Sequence, residues 1–371
     1  MKIDSIECIP VRVPIRPEVA IRAKGGTHSV SPFLLLKVHT NEGIVGLGEV
    51  SATPRWSGED QVTAEHFIRT ILGPAIIGED PRNVELLSSR MRASIAGNAF
   101  TRAALEMALW DICGKAKGVP VYELLGGAVR ESVTTKWSIS GVEPERAAGI
   151  ARWAAEQGFR TVKVKVGINP AEDVARVRAV RGELGESFRI GVDANGAWTP
   201  ELAVEMIERL CEFGIYFAEQ PVPPGDMAWL AEVRRRVKIP VLADESVYSP
   251  TDARAIVREG AADAISVYIG KAAGIGPAVQ ISAIAQAAHL GCTVGSNLEL
   301  GVGTAAMLHL AVASSGITPE EFPCDIIGPL YYCDELLQEP LDLSNGRAIA
   351  PKGPGLGVEL DEAKVRLYRV D

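Results

Sequence analysis

The sequence predicts an α/β protein: a (β/α)8-type barrel, or modified TIM barrel, with an N-terminal α+β capping domain that the C-terminal tail completes. Residues 1–128 mix strand-like and helical segments. From about residue 133, short apolar runs and helical stretches alternate in regular order. Runs this apolar are typical of parallel strands that are covered on both faces. We therefore expect a capping domain over 1–128, a barrel over 129–345 and a returning C-terminal segment over 346–371.

The predicted capping domain begins with segments of strand composition at 3–13 and 33–39. Turn residues at 41–43 separate the second segment from a hairpin arm at 44–50. Apolar residues then recur at helical spacing over 103–112. This part of the chain should therefore form a small antiparallel sheet with helices packed on it.

The barrel is predicted from seven apolar runs with an eighth near Cys324-Asp325-Ile326. The seven runs are VTTKWSIS, TVKVKVG, RIGVDANG, YFAEQP, PVLADES, AISVYIG and CTVGSNLE. Helical stretches such as PAEDVARVRAVRGEL separate them. A doubly wound open sheet is the alternative, but no glycine-rich dinucleotide-binding loop follows the first run.

Composition limits the classes of function. The net charge of −9 argues against a nucleic-acid-binding protein, which usually shows a basic surface. We expect no membrane association, since the N-terminus lacks the apolar core of a signal peptide and no apolar run approaches the ~18 residues of a membrane span. The six cysteines are scattered without a CxxC pair, which indicates reduced thiols and a cytoplasmic protein.

Acidic residues end three successive predicted strands. Asp193, Glu219 and Asp244 are 26 and 25 residues apart, so each occupies the same step of the barrel. Active sites of such barrels lie at the C-terminal ends of the strands. Three carboxylates there would repel one another unless a hard cation joined them, and oxygen ligands suit Mg²⁺, with Mn²⁺ as the alternative. The competing interpretation is that each acid caps a helix or pairs with a base.

Two lysines end the preceding strand in the run FRTVKVKVG. Lys163 and Lys165 are two residues apart and therefore face the same way. Two close ammonium groups disfavour each other's charge, so one of them could be neutral near pH 7 and act as a general base. The alternative is a solvated strand face, against which the flanking valines argue. A base beside Mg²⁺ suits removal of a proton α to a carboxylate.

These residues make the chain resemble the enolase superfamily, and within it the mandelate racemase/muconate lactonizing enzyme group. The resemblance covers nearly the whole chain, including the segment RAALEMALWDICGKAKGVPVYELLGG, the barrel and the tail GPGLGVEL. It implies that one Mg²⁺ per subunit is bound by Asp193, Glu219 and Asp244. It also implies that Lys165 is the base and Lys163 its electrostatic partner.

The resemblance further implies a substrate contact for Glu299, in GSNLELGVGTAA, with Asn195 and Asn297 at the same rim. Basic and aromatic residues of the capping loops would suit a small-molecule carboxylate substrate, and the candidates are Arg55, Trp56 and His28. The competing interpretation for each is an exposed loop residue without a contact. A homo-oligomer, either dimer or octamer, is expected from the resemblance alone.

The sequence departs from the group's pattern at strand six. The group usually carries a second lysine base there, but ISVYIGKAAGI places Tyr268 at that position and Lys271 three residues later. A shifted register that brings Lys271 into the site is the alternative. A phenol is normally a weak acid, which favours one-base outcomes: β-elimination of water (a lyase) or cycloisomerisation. Racemisation or epimerisation is the second hypothesis. A non-catalytic barrel and another metal-dependent barrel enzyme, such as an aldolase, are remote ones.

Overall fold

The computed structural model describes residues 1–19, 21–23 and 26–370. The N-terminal strands are β1 (Ile3–Pro14), β2 (Ile21–Ala23), β3 (Gly26–His28), β4 (Val30–Thr40) and β5 (Val45–Val50). Strands β1, β4 and β5 form an antiparallel sheet in the order β1-β4-β5, and β2 pairs with β3 as a short hairpin. The predicted small antiparallel sheet is therefore present.

Six α-helices follow this sheet, and the longest lies directly on it. They are α1 (Pro54–Ser57), α2 (Gln61–Phe67), α3 (Gly73–Ile76), α4 (Val84–Ser94), α5 (Ala99–Lys117) and α6 (Val121–Leu124). Helix α5 approaches β5 closely because β5 carries Gly46 and Gly48: a Cβ atom at either glycine would lie 2.2 or 2.0 Å from a carbonyl oxygen of α5. This contact fixes α5 between the sheet and the rest of the molecule.

The second part of the chain alternates strand and helix, as the apolar runs predict. Its strands are β6 (Val133–Thr134), β7 (Trp137–Ile139), β8 (Thr161–Lys165), β9 (Arg189–Asp193), β10 (Ile215–Glu219), β11 (Val241–Ala243), β12 (Ala264–Val267) and β13 (Gly291–Val294). Its helices are α7 (Pro144–Glu156), α8 (Pro170–Leu184), α9 (Pro200–Cys211), α10 (Met227–Arg236), α11 (Pro250–Glu259), α12 (Ile269–Ala272), α13 (Ile275–Ala287) and α14 (Gly301–Ala313).

Strands β7 to β13 form one parallel sheet in sequence order. The predicted eighth segment closes it. The amide of Asp325 donates to the carbonyl of Val294 at the end of β13 (2.8 Å), and Cys324 forms a parallel bridge to Thr135, just before β7. The predicted barrel is thus confirmed, and the C-terminal ends of its strands lie at one rim.

The C-terminal segment contacts both parts of the molecule. Strand β14 (Arg347–Ala348) pairs antiparallel with β6, and helix α15 (Glu362–Tyr368) follows. The amide of Val370 then donates to the carbonyl of Pro10 in β1 (3.0 Å). The domain boundaries at 128/129 and 345/346 stay predictions. Among the described residues, no helix has both the length and the apolar character needed to cross a membrane.

Candidate active site

Lys163, near the end of β8, lies at the centre of a buried group of carboxylates. Its Nζ is 3.2 Å from Oε1 of Glu219, 2.9 Å from Oδ2 of Asp325 and 3.7 Å from Oδ2 of Asp193. Burial opposes the charged form, but these acids together with Asp244 raise the pKa of Lys163 well above its usual value. Lys163 is therefore an ammonium ion and not a neutral base.

Lys165 lies two residues further along β8, nearer the open end of the barrel. Its Nζ donates to Oδ2 of Asp193 (2.6 Å) and to Oδ1 of Asn195 (3.0 Å). The buried guanidinium of Arg176 donates to the carbonyl oxygen of Lys165 (3.0 Å), which holds the end of the strand in place. Burial would raise the pKa of Asp193, but Lys165 and Lys163 keep it below its ordinary value.

Two of the three predicted metal ligands, Asp193 and Glu219, are the last residues of β9 and β10. The third, Asp244, directly follows β11. Burial, and the nearby charges of Asp193, Asp244 and Asp325, raise the pKa of Glu219 despite the adjacent Lys163. Oε2 of Glu219 is buried without a well-aligned hydrogen bond, although Nζ of Lys163 is 3.1 Å away. This excess of buried negative charge fits a divalent cation.

The carboxylates are not yet arranged around one point. In the described part of the chain, no three acidic, histidine or cysteine side chains stand where they could hold a metal ion. At Asp244, Oδ1 accepts a hydrogen bond from Lys271 and Oδ2 accepts one from Tyr268. Each carboxylate oxygen has two lone pairs, so these hydrogen bonds leave both oxygens of Asp244 able to ligate a cation.

Tyr268 directly follows β12 and occupies the strand-six position at the rim. Its hydroxyl donates to Oδ2 of Asp244 (3.0 Å), and its ring is 4% exposed. Burial, with Asp244 as the first of the nearby acids, raises the pKa of Tyr268 well above its usual value. The phenol is thus a neutral hydrogen-bond donor in this structure.

Lys271 lies behind Tyr268 on helix α12. Besides its bond to Oδ1 of Asp244, its Nζ donates to the carbonyl oxygens of Asp244 (2.6 Å) and Ser266 (3.0 Å), and the residue is 1% exposed. The ammonium also lies 4.2 Å from the centre of the Tyr268 ring. Lys271 thus contacts the proposed metal ligand Asp244 from behind Tyr268, and its role as a second base stays a prediction.

The capping domain contributes Trp56, on helix α1. The Trp56 indole stacks on the Tyr268 ring at 5.4 Å and 24°, and its Nε1 donates to Oε1 of Glu245 (3.1 Å). Arg55, its neighbour, is exposed. The side chain of His28 lies outside the described residues, so its predicted substrate contact stays a prediction.

Glu299 and Asn297, after β13, lie where the barrel meets the capping domain. Glu299 is buried and accepts hydrogen bonds from Oγ of Ser296 (2.5 Å) and from the amide of Asn297 (3.1 Å). The side-chain amide of Asn297 donates to the carbonyl oxygen of Ser51 (2.7 Å). Asn297 thus joins the two parts of the molecule, and its predicted substrate contact stays a prediction.

Sequence reasoning missed three charged residues of this site. Asp325 accepts a hydrogen bond from Lys163 and forms an ion pair with Lys136 (3.0 Å). Glu245 accepts a hydrogen bond from the Trp56 indole. Asp325 could have been found, since it ends the eighth apolar segment as the other acids end theirs. Glu245 directly follows Asp244, and Lys136 lies inside the first apolar run. A charged residue at either place departs from the apolar pattern and could have marked it as part of the site.

Two buried carboxylates from the capping domain bind the first turns of α13 and α14, the helices that come after β12 and β13. Glu49, on β5, accepts hydrogen bonds from the amides of Leu300 (2.7 Å) and Gly303 (2.8 Å), at the start of α14. Glu106, on α5, accepts from the first two amides of α13. Burial raises the pKa of Glu49 to about 8 and that of Glu106 to about 7. The capping domain thus satisfies helix ends that would otherwise lack acceptors.

Comparisons with known proteins agree with this geometry. Residues 5–126 match the family "Mandelate racemase / muconate lactonizing enzyme, N-terminal domain", and residues 145–364 match "Enolase C-terminal domain-like". Muconate cycloisomerase 1 of Rhodococcus opacus is 35% identical over 99% of this chain and 98% of its own. The N-succinyl-L-Arg/Lys racemase of Bacillus cereus is 33% identical over 98% of this chain and 96% of its own.

A solved structure extends the likeness to three dimensions. The 2-chloromuconate cycloisomerase of Rhodococcus opacus superimposes with a TM-score of 0.96 at 31% identity, and the match covers 100% of both chains. The chain therefore belongs to the mandelate racemase/muconate lactonizing enzyme family of the enolase superfamily. The resemblance drawn from the sequence is confirmed, as is the prediction of an enolase-superfamily enzyme.

Proposed function

We propose that the protein removes the proton α to the carboxylate of a small-molecule substrate, with Lys165 as its single base. Lys165 is the less buried lysine of the pair, and Asp193 and Asn195 hold its Nζ in place. Lys163 is a fixed positive charge beneath it, which favours negative charge developing on the substrate. The product of this step is an enolate.

Asp193, Glu219 and Asp244 would hold the metal ion, for which we propose Mg²⁺ with Mn²⁺ as the alternative. The support is the donor chemistry of three carboxylates and the excess negative charge that raises the pKa of Glu219. When bound, the ion would neutralise charge on the substrate carboxylate and so increase the acidity of the α-proton.

One observation supports a lyase or cycloisomerase outcome over epimerisation: both candidates for a second base, which follow β12, already make hydrogen bonds to other protein groups. Tyr268 donates to Asp244 and is covered by Trp56, and Lys271 makes three hydrogen bonds behind it. Inverting a carbon centre needs a proton donor on the opposite face of the substrate. Neither side chain offers one without leaving its present partners.

A single lysine is sufficient for a syn β-elimination. Lys165 takes the α-proton as the C–H bond breaks, which leaves the electron pair in the enolate. That pair then forms the C=C bond as the β C–O bond breaks. The same ammonium can then protonate the departing hydroxide, so water leaves from the face on which Lys165 lies. Cycloisomerisation uses one base in the same way, with ring formation or opening in place of water loss.

Epimerisation is the second candidate function, because the chain is about as similar to a racemase as to a cycloisomerase. It would require the Tyr268 hydroxyl to turn from Asp244 toward the substrate. We further propose a cytoplasmic homo-oligomer, dimer or octamer. The free thiols of all six cysteines support the cytoplasm, and family membership supports assembly.

Proton NMR in D₂O with Mg²⁺ tests the reaction over a library of carboxylic acids, beside a Lys165→Ala control. We expect a new alkene, keto acid or lactone with little deuterium in the recovered substrate. Deuterium at the α-carbon with unchanged connectivity and inverted configuration would instead establish the epimerase alternative. Equal turnover by the Lys165→Ala variant would contradict both.

A further inference from the structure

A continuous chain of hydrogen bonds joins the capping domain to Lys165. Nε1 of Trp56 donates to Oε1 of Glu245 (3.1 Å), and Nδ2 of Asn195 donates to the same oxygen (2.9 Å). Nζ of Lys165 then donates to Oδ1 of Asn195 (3.0 Å). One carboxylate oxygen, Oε1 of Glu245, therefore accepts hydrogen bonds from Trp56 of the capping domain and from Asn195, whose side chain contacts the proposed base.

The orientation of the Asn195 side chain decides what Lys165 meets. Asn195 has a left-handed backbone (φ 45°), and its amide donates to Oδ1 of Asp193 (2.9 Å), so its main chain is anchored. While its side-chain nitrogen donates to Glu245, its side-chain oxygen faces Lys165 and accepts from it. A reversed side chain would direct an N–H group at the ammonium, and Glu245 is the acceptor that prevents this reversal.

Glu245 makes both of its hydrogen bonds through one carboxylate oxygen. Its second oxygen, Oε2, is buried and has no hydrogen-bond partner among the described residues, so both of its hydrogen bonds meet at Oε1. Movement of the Trp56 indole would remove one of these two bonds. The carboxylate is thus positioned by a residue of the capping domain, and it in turn positions Asn195 in the barrel.

We infer that Glu245 is a positioning residue that couples the seating of Trp56 to the orientation of Lys165. When Trp56 is seated, Glu245 is held, Asn195 is fixed, and Nζ of Lys165 points in one direction. When Trp56 moves away, Glu245 loses a donor and the hold on Lys165 weakens. The inference rests on the proposed function only in giving Lys165 the role of base; the coupling itself is a property of the protein without substrate.

Fluorine NMR of protein labelled with 5-fluorotryptophan tests this coupling without a substrate. The chain has six tryptophans, so Trp56→Phe assigns the Trp56 signal by its disappearance. We expect Glu245→Ala to shift that signal, and Glu245→Gln, whose carbonyl oxygen can accept both hydrogen bonds, to restore it. Asn195→Ala and Lys165→Met, at the far end of the chain of bonds, should also shift it.

The control variant is Glu183→Ala, which removes a partly exposed acid paired with Arg152 and should leave the Trp56 signal unchanged. If Glu245→Ala shifts the signal but Asn195→Ala and Lys165→Met do not, Glu245 merely supports Trp56 and the inference is wrong. The Asn195 and Lys165 variants keep the test decisive even if Glu245→Ala fails to fold.

Turnover supplies the second readout once the library has given a substrate. We expect Glu245→Ala to lower kcat about tenfold or more while KM changes less than about threefold, because a misdirected base affects the proton transfer more than binding. Glu245→Gln should recover most of kcat. Equal losses in both variants would overturn the positioning role. If no carboxylic acid reacts, the proposed function fails while the fluorine measurement still decides the coupling.

Discussion

Gly295 makes the space that the Tyr268 ring occupies. A Cβ atom at Gly295 would lie 1.9 Å from Cε1 of that ring. We expect Gly295→Ala to lower the free energy of unfolding by about 1–3 kcal/mol, since the ring cannot leave its stack with Trp56 without strain. Urea denaturation measures this. Gly149→Ala on α7, where nothing lies within 4 Å, is the matched control and should not destabilise; equal effects in both variants would contradict the argument.

Tyr268→Phe separates the two proposed reactions at a single atom. If the hydroxyl only donates to Asp244, its removal costs one hydrogen bond and turnover should fall by less than about tenfold. If Tyr268 is instead the proton donor of an epimerase, turnover should fall by about 10²–10⁴-fold. Steady-state kinetics on the substrate from the library decides, and a loss in the larger range would contradict the one-base proposal.

Helix α14 depends on Glu49, a carboxylate from another part of the chain. Because burial raises the pKa of Glu49 to about 8, the folded state holds a proton that the unfolded state releases at lower pH. Its contribution to the free energy of unfolding is full below the pKa of an unfolded glutamate. It is lost as the pH rises from there through about 8.

We therefore expect the stability difference between wild type and Glu49→Gln to shrink as the pH rises from 5 to about 8. At the lower pH most of the contribution of the protonated carboxyl group is present, whereas at the higher pH its buried charge offsets the hydrogen bonds to α14. Urea midpoints at both pH values measure the effect. Glu85→Gln, an exposed acid on α4, is the control; a pH-independent difference for Glu49→Gln would show that its charge state does not matter.

A divalent cation should stabilise the folded protein as a whole. A ligand that binds only the folded state adds about 2.7 kcal/mol at 100 times its dissociation constant. We expect Mg²⁺ to raise Tm and a chelator to reverse the rise. Asp244→Asn, which removes one proposed ligand, should reduce the response, whereas Glu183→Ala should keep it. An equal response in both variants would mean that the ion binds elsewhere.

Much of this molecule could be predicted because its signals are local. Barrel strands show as apolar runs, and the acids that end them stand out against valine and isoleucine. The state of Lys163 could not be predicted, because it depends on Asp325, which lies 162 residues away and joins the site only when the barrel closes. The same limit applies to Glu245, whose partner Trp56 comes from the capping domain.

The bonds from Glu49 and Glu106 to the barrel helices have a practical consequence for protein engineering. Chimeras that transplant residues 1–128 between members of the family would carry these two acceptors with the donated part. If the protein that supplies residues 1–128 lacked an acid at either position, the first amides of α13 or α14 would have no acceptor beside the active site. Compatible donors should therefore be selected by these two side chains before overall identity.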